Sequence, residues 1–300
     1  MAEIIGEPGQ KLIPALENED LYEVDRLLSQ SEQSMSNQIS YDARNEALQV
    51  ACRAGQEFYV HKMISAGAGV DTRTSFGDFP LMIAVEEGNA NMVRLLLDSG
   101  AHAQQENLAG ETALKVALYR DHFECAKILL DKYKPAGKNL ARLARGLVEA
   151  GHTEAFKLMA SHCNDQVSSQ ILLVPAVMSG DTEIVQSLLD RGADLNIPYL
   201  SGDTALIAAV KYLSEPHLMN MVIFLVKNGA QVKGSVYKYS PLAACALFDK
   251  PSVINYLVNS GADVNKVGDG DCITPSAADI ECLKNSYESH LSYFLPLNFA

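Results

Sequence analysis

The stretch Asp181–Asn196, DTEIVQSLLDRGADLN, returns twice more in altered form. Asn89–Gln104 reads NANMVRLLLDSGAHAQ, and Pro251–Asn265 reads PSVINYLVNSGADVN. Apolar residues fall at helical spacing in each copy: Met92, Val93, Leu95, Leu96 and Leu97 in one, Ile184, Val185, Leu188 and Leu189 in another. A polar residue suited to an N-cap, Asn89 or Asp181, opens the run. Gly-Ala closes it at Gly100, Gly192 and Gly261, where glycine can adopt the left-handed conformation that ends a helix.

A second pattern precedes each copy. It is a Leu, a small residue three positions on and a Gly seven positions on. Leu48, Ala51 and Gly55 satisfy it, as do Leu81, Ala84 and Gly88, and Leu173, Ala176 and Gly180. Leu114 and Ala117 keep two terms with Asp121 at the Gly site; Leu206 and Ala209 keep two; Leu242 is followed by Cys245 at the small position. The intervals Leu48–Leu81, Leu81–Leu114 and Leu173–Leu206 are each 33 residues. Gly-Ala stands 19 residues after Leu48, Leu81, Leu173 and Leu242, and four residues later than that after Leu206, at Gly229. The unit therefore reads helix, turn, helix, loop. A single unit has too few apolar side chains to offset the entropy of ordering its chain, so copies must stack and bury both faces.

The pattern resembles the ankyrin repeat family, with its TPLHxA-like box and GADVN-like end. GDFPLMIA (Gly77–Ala84), GETALKVA (Gly110–Ala117), GDTALIAA (Gly202–Ala209) and YSPLAAC (Tyr239–Cys245) carry the box, and RGADLN (Arg191–Asn196) and SGADVN (Ser260–Asn265) carry the end. The resemblance spans roughly Tyr41 to Asn265. It implies an all-α solenoid of stacked helix-turn-helix units with short β-turn or hairpin loops. The box His of the family is missing, with Gln49, Met82, Lys115, Val174, Ile207 and Ala243 in its place. Since that His ties neighbouring loops, softer loops between repeats are expected. The box Thr survives as Thr112 and Thr204, with Thr274 a further candidate.

One unit is eroded. Pro135-Ala136-Gly137 breaks the chain after a helix ending near Lys132, and Asn139–Ala150 and Thr153–His162 then read as a helix pair around Gly151-His152. NDQVSS (Asn164–Ser169) follows instead of a Gly-Ala loop, so a pair without a projecting finger is expected, with a bend in the stack. Four extra residues near Leu213–His217 should lengthen a loop or a helix. The expected organisation is capping helices over 1–40, a first repeat block over 41–134, the degenerate pair over 135–165, a second block over 166–266 and a capping unit with an apolar tail over 267–300. Residues 1–40 hold eight acidic and two basic residues, as a polar cap requires. The tail Leu291–Phe299 reads as folding back on the last helices, with a docking peptide or export signal as the alternatives.

The chain's net charge of −13 argues against nucleic acid, because phosphate binding needs a Lys/Arg surface. The start MAEIIGEPGQ has no basic and apolar leader, and the apolar run Ile171–Met178 is too short to span a bilayer. Six cysteines without a CxxC fit free thiols in a reducing cytosol. A cytoplasmic monomer is expected, or a protein that a bacterium delivers to a host cytosol. Neither a phosphate loop nor an HExxH or GxSxG element occurs, so no cofactor, no metal and no catalysis are expected. His122 and His152 follow the turn Gly position, where the family often has His; His162-Cys163 adjacency carries no chemistry; His290 with Cys272 and Cys282 is the remaining constellation.

Binding to another protein through the concave face is the function the resemblance implies. Carried over by position, the contact residues are Phe76, Asp78, Glu86 and Glu87; Leu108, Glu111, Tyr119 and Arg120; Tyr199, Leu200, Asp203, Lys211 and Tyr212; and Tyr237, Tyr239 and Phe248. The aromatic ones are candidate anchors; packing between loop tips is their alternative role. Asp78, Glu86, Glu87 and Glu111 suggest a basic partner segment, or a solvated face. The basic stretch Lys132–Arg145 reads as a solvated helix face, with a second contact as the alternative. The competing functions are a regulatory or targeting subunit of an enzyme on another chain, and a diverged hydrolase site at the C-terminal cap.

Overall fold

The computed structural model describes residues 8–18, 20–33, 39–74, 77–199, 201–233 and 240–263. Two compact units divide the chain between Pro135 and Ala136. The first holds α1 (Pro8–Glu17), α2 (Leu21–Gln33), α3 (Tyr41–Arg53), α4 (Glu57–Ser65), α5 (Pro80–Glu86), α6 (Ala90–Asp98), α7 (Ala113–Tyr119) and α8 (Phe123–Lys132). The first helices stack in the order α1, α3, α5, α7, and α4, α6 and α8 form a second row. The second unit holds α9 (Gly137–Glu149), α10 (Thr153–His162), α11 (Gln166–Ser179), α12 (Thr182–Asp190), α13 (Ala205–Tyr212), α14 (His217–Lys227), α15 (Pro241–Leu247) and α16 (Pro251–Asn259). Its first helices stack in the order α9, α11, α13, α15. Among the described residues the fold is all-α, with one isolated bridge between Glu106 and Thr112 in a loop.

The recurring residues now have physical roles. Ala51, Ala84, Ala117, Ala176, Ala209 and Cys245 are fully buried in the first helices, where a larger side chain would push neighbouring helices apart. The Gly-Ala pairs close the second helices. Gly192 takes φ 88°, and the next N–H, of Ala193, donates to the Leu188 carbonyl at 3.1 Å. The same bond joins Ala101 to Leu96, Ala230 to Leu225 and Ala262 to Leu257, and all four alanines are buried. Glycine supplies the left-handed turn and alanine the small apolar plug behind it. Asn89 caps α6 by accepting from Met92 N–H, and Asp181 caps α12 by accepting from Glu183 and Ile184 N–H. Asp121 and Asp249 stand at the glycine site of their turns with φ of 56° and 51°.

The degenerate pair is α9 and α10, and it lacks a finger as expected. The segment NDQVSS is not a loop throughout. Asp165 accepts from Ser168 N–H and starts α11 at Gln166, so the chain passes from α10 to α11 in three residues. The four extra residues are shared between the 213–216 connection and α14, which has 11 residues against nine in α12 and α16. The 267–300 cap and its tail lie outside the described residues.

Candidate protein-interaction surface

Three loops share one turn that brings finger residues back to the first helices. Thr74 N–H donates to Asp78 O (2.8 Å), Asn107 N–H to Glu111 O (3.0 Å) and Tyr199 N–H to Asp203 O (2.9 Å). Each turn delivers the chain directly into α5, α7 or α13. Within each unit, these fingers and the C-terminal ends of the first helices make one face.

In the first unit, Leu108 stands at a finger tip with 74% of its surface exposed, above Gly77 of the preceding finger. A Cβ on Gly77 would lie 2.4 Å from the Leu108 side chain, so the close approach needs glycine there. Glu111, Lys115 and Tyr119 follow at intervals of four along α7 and its lead-in. Lys115 Nζ lies 3.0 Å from the Glu111 carboxylate and 5.8 Å from the Tyr119 ring centroid. Glu86 and Arg120 meet across adjacent first helices at 3.2 Å. Asp78 accepts from the Asn107 amide at 3.1 Å, while Glu87 is exposed at the end of α5. The acidic residues grouped by sequence are thus largely engaged: Glu86 and Glu111 have cationic partners within this face.

In the second unit, Tyr199 is half-buried and its hydroxyl donates to the Ala141 carbonyl of α9 at 3.4 Å. Burial raises its phenol above the ordinary value, against the opposing pull of Arg145. Tyr212 lies beside Lys211 Nζ at 5.0 Å and the Arg145 guanidinium at 5.7 Å from its ring centroid, within cation–π range. Phe248 is half-buried at the end of α15. Phe76, Leu200, Tyr237 and Tyr239 lie outside the described residues.

Asp203 requires a correction. Its position predicted a surface contact, but its side chain is fully buried, accepting from Ser201 Oγ at 2.9 Å and Lys211 Nζ at 3.2 Å. A carboxylate at the base of a finger can satisfy hydroxyl and ammonium donors at once, so it serves the loop and is not presented to a partner. The basic stretch Lys132–Arg145 also splits. Lys132 pairs with Asp98 at 3.2 Å in the first unit, while Arg145 of α9 reaches Tyr212 in the second. Sequence reasoning placed Arg145 within this basic stretch, as part of a solvated helix face or a second contact, and missed its meeting with the Tyr212 ring. The helical spacing of Lys138, Arg142 and Arg145 puts three cations on one side of α9.

No group of three or more His, Cys, Asp or Glu able to hold a metal ion occurs among the described residues. The sequence pattern described as ankyrin repeats (3 copies) matches residues 12–107, 48–141 and 173–267. The chain belongs to the ankyrin repeat family. Residues 142–172, which include the degenerate α10, fall between the matches. Ankyrin repeat domains are non-catalytic scaffolds for protein–protein interaction, and this chain is of that kind. Among solved structures, the crystal structure of the ankyrin repeat domain of Bcl-3, described as a unique member of the IkappaB protein family, is similar at 25% identity. The match covers 79% of this chain and 97% of that one, with a TM-score of 0.40. No curated protein matches the chain. No described helix is long and apolar enough to cross a membrane.

Proposed function

We propose that this ankyrin repeat chain acts as a monomer that holds a partner protein against the fingers and first-helix ends of its units. The observation that supports this reading is the collection of partly exposed apolar and aromatic side chains there: Leu108, Tyr119, Tyr212 and Phe248. Aromatic anchors dominate interface energies, and side chains held on rigid helix ends lose little entropy on binding. In the first unit the partner segment is basic. Glu87 is exposed, and the Glu86 and Glu111 ion pairs are partly solvated, so they can exchange partners at small cost. A reducing, cytosolic setting is part of the proposal, supported by four free and buried cysteines, Cys52, Cys125, Cys163 and Cys245. Its narrower form, a bacterial protein delivered to a host cytosol, is testable by a translocation assay with a reporter fusion.

The central test is affinity purification from the native cell with the wild type, Tyr119→Ala and Tyr212→Ala, each checked for folding by circular dichroism. Loss of the same captured protein by about tenfold or more in a folded variant supports the reading. Undiminished recovery by both variants overturns it.

A further inference from the structure

The second unit carries a basic and aromatic cluster that its acidic chain does not neutralise. Lys138, Arg142 and Arg145 recur along one side of α9, and Lys138 and Arg142 are exposed and make no ion pair among the described residues. Arg145 pairs with Glu149 at 2.6 Å and also faces the Tyr212 ring. Lys211 faces the opposite partner set, Asp203 and the same ring. Four cations therefore share this surface with two carboxylates, and one of those, Asp203, is buried. The chain as a whole is strongly acidic, with a net charge of −13.

We propose that Arg142, Arg145, Lys211 and Tyr212 form a docking site for an acidic peptide segment of the partner protein. This deepens the protein-binding reading above and rests on it. Three features favour carboxylates on a peptide. Guanidinium forks match carboxylates in two-pronged geometry, and Arg142 has its fork uncommitted. The Tyr212 ring, flanked by Arg145 and Lys211, holds both cations in place, so less rotamer entropy remains to be lost on binding. Tyr199, fixed to α9 through Ala141, gives the same surface a second rigid aromatic wall. A long polyanion such as nucleic acid would extend beyond four cations into the field of an acidic chain, whereas a short peptide stays within the cluster.

The test uses the full chain and fluorescence anisotropy with fluorescein-labelled, end-blocked octaglutamate, octalysine and octathymidylate. Octaglutamate should bind, more weakly as salt rises. The double variant Arg142→Glu/Arg145→Glu should lose tenfold or more in affinity, and Tyr212→Ala a smaller factor. Lys227→Glu, an exposed charge on α14, should bind like the wild type, and thermal melts followed by circular dichroism check that each variant is folded. Absence of octaglutamate binding overturns the proposal. So does equal weakening by Lys227→Glu, indifference to the double reversal, or tighter binding of octathymidylate. If Tyr119→Ala loses the native partner while the double reversal has no effect on octaglutamate, this inference alone falls and the protein-binding reading stands.

Discussion

Asn196 and Gln231 are joined across neighbouring repeats: the Asn196 side-chain oxygen accepts the Gln231 N–H at 2.8 Å, and its amide donates to the Gly229 carbonyl at 3.2 Å. Asp71 makes the corresponding link in the first unit, accepting His102 N–H at 3.0 Å and contacting the His102 ring. The last residue of the recurring phrase is thus a rung between one loop and the next. Gly229 and Gln231 are exposed, so water replaces the lost bonds when the rung is cut. Asn196→Ala should cost about 1 kcal/mol, at the low end of the range for two hydrogen bonds. A fall in the urea midpoint at unchanged m-value, with faster amide exchange at Gln231, checks it.

Gly88→Ala should cost more. Gly88 has φ 67°, and a Cβ there would lie 2.9 Å from the His122 ring of the next repeat. The substitution combines left-handed backbone strain with displacement of an imidazole that packs between repeats. A loss of about 1–3 kcal/mol is expected in chemical denaturation, against a smaller loss of about 1 kcal/mol for Gly110→Ser, where the space around the side chain is open. Gly110 keeps its own positive φ of 71°, so serine there shows the backbone share of the cost alone.

Asp203→Ala leaves the Lys211 ammonium without its buried counter-charge. Lys211 keeps a quarter of its side chain in water, which limits the penalty to about 2 kcal/mol. Burial alone would lower the Lys211 pKa, but the Tyr212 hydrogen bond and the Asp203 charge outweigh it and hold it above 10.5. A raised folded value means the stabilisation is complete below the ordinary lysine pKa and fades as pH rises through the folded one. Wild-type stability should therefore fall above about pH 10.5 more steeply than that of Asp203→Ala, as thermal melts across that range would show.

At the acid end the sign reverses. Burial by itself would raise the Asp181 pKa; the Lys157 hydrogen bond and the two backbone N–H groups it caps pull it below the ordinary 3.8. Stability from this group is present above that value and lost as pH falls through the lower, folded one. Asp181→Asn keeps a capping oxygen but abolishes the titration. Its acid-unfolding curve should be shallower below about pH 4 than the wild type's.

Burial pushes the Cys52 and Cys245 thiols up to about 12. Both should stay protonated and resist iodoacetamide at neutral pH in the native chain, then alkylate fully in denaturant. Peptide mass spectrometry reads the two states directly.

The helix pairs, their caps and their Gly-Ala ends were legible in the sequence because each is a local rule. Helical spacing, an Asn or Asp before the run and a glycine after it act within about a turn of the chain. Asp203 was not legible. Its position in the repeat is a surface one in the resembling pattern, and only the local fold of Ser201 and the reach of Lys211 from the far end of α13 turn it inward. Arg145 and Tyr212 were not legible as a pair either, since they belong to helices with α11 stacked between them.

By itself, the sequence determined the all-α repeat architecture, the position of each turn and the unit that lacks a finger, since these follow from periodicity and short-range backbone chemistry. The tertiary structure alone decided which charges are paired or buried and which remain available to a partner. That choice depends on distances between repeats and on solvent exposure, and neither is encoded in the spacing of residues along the chain.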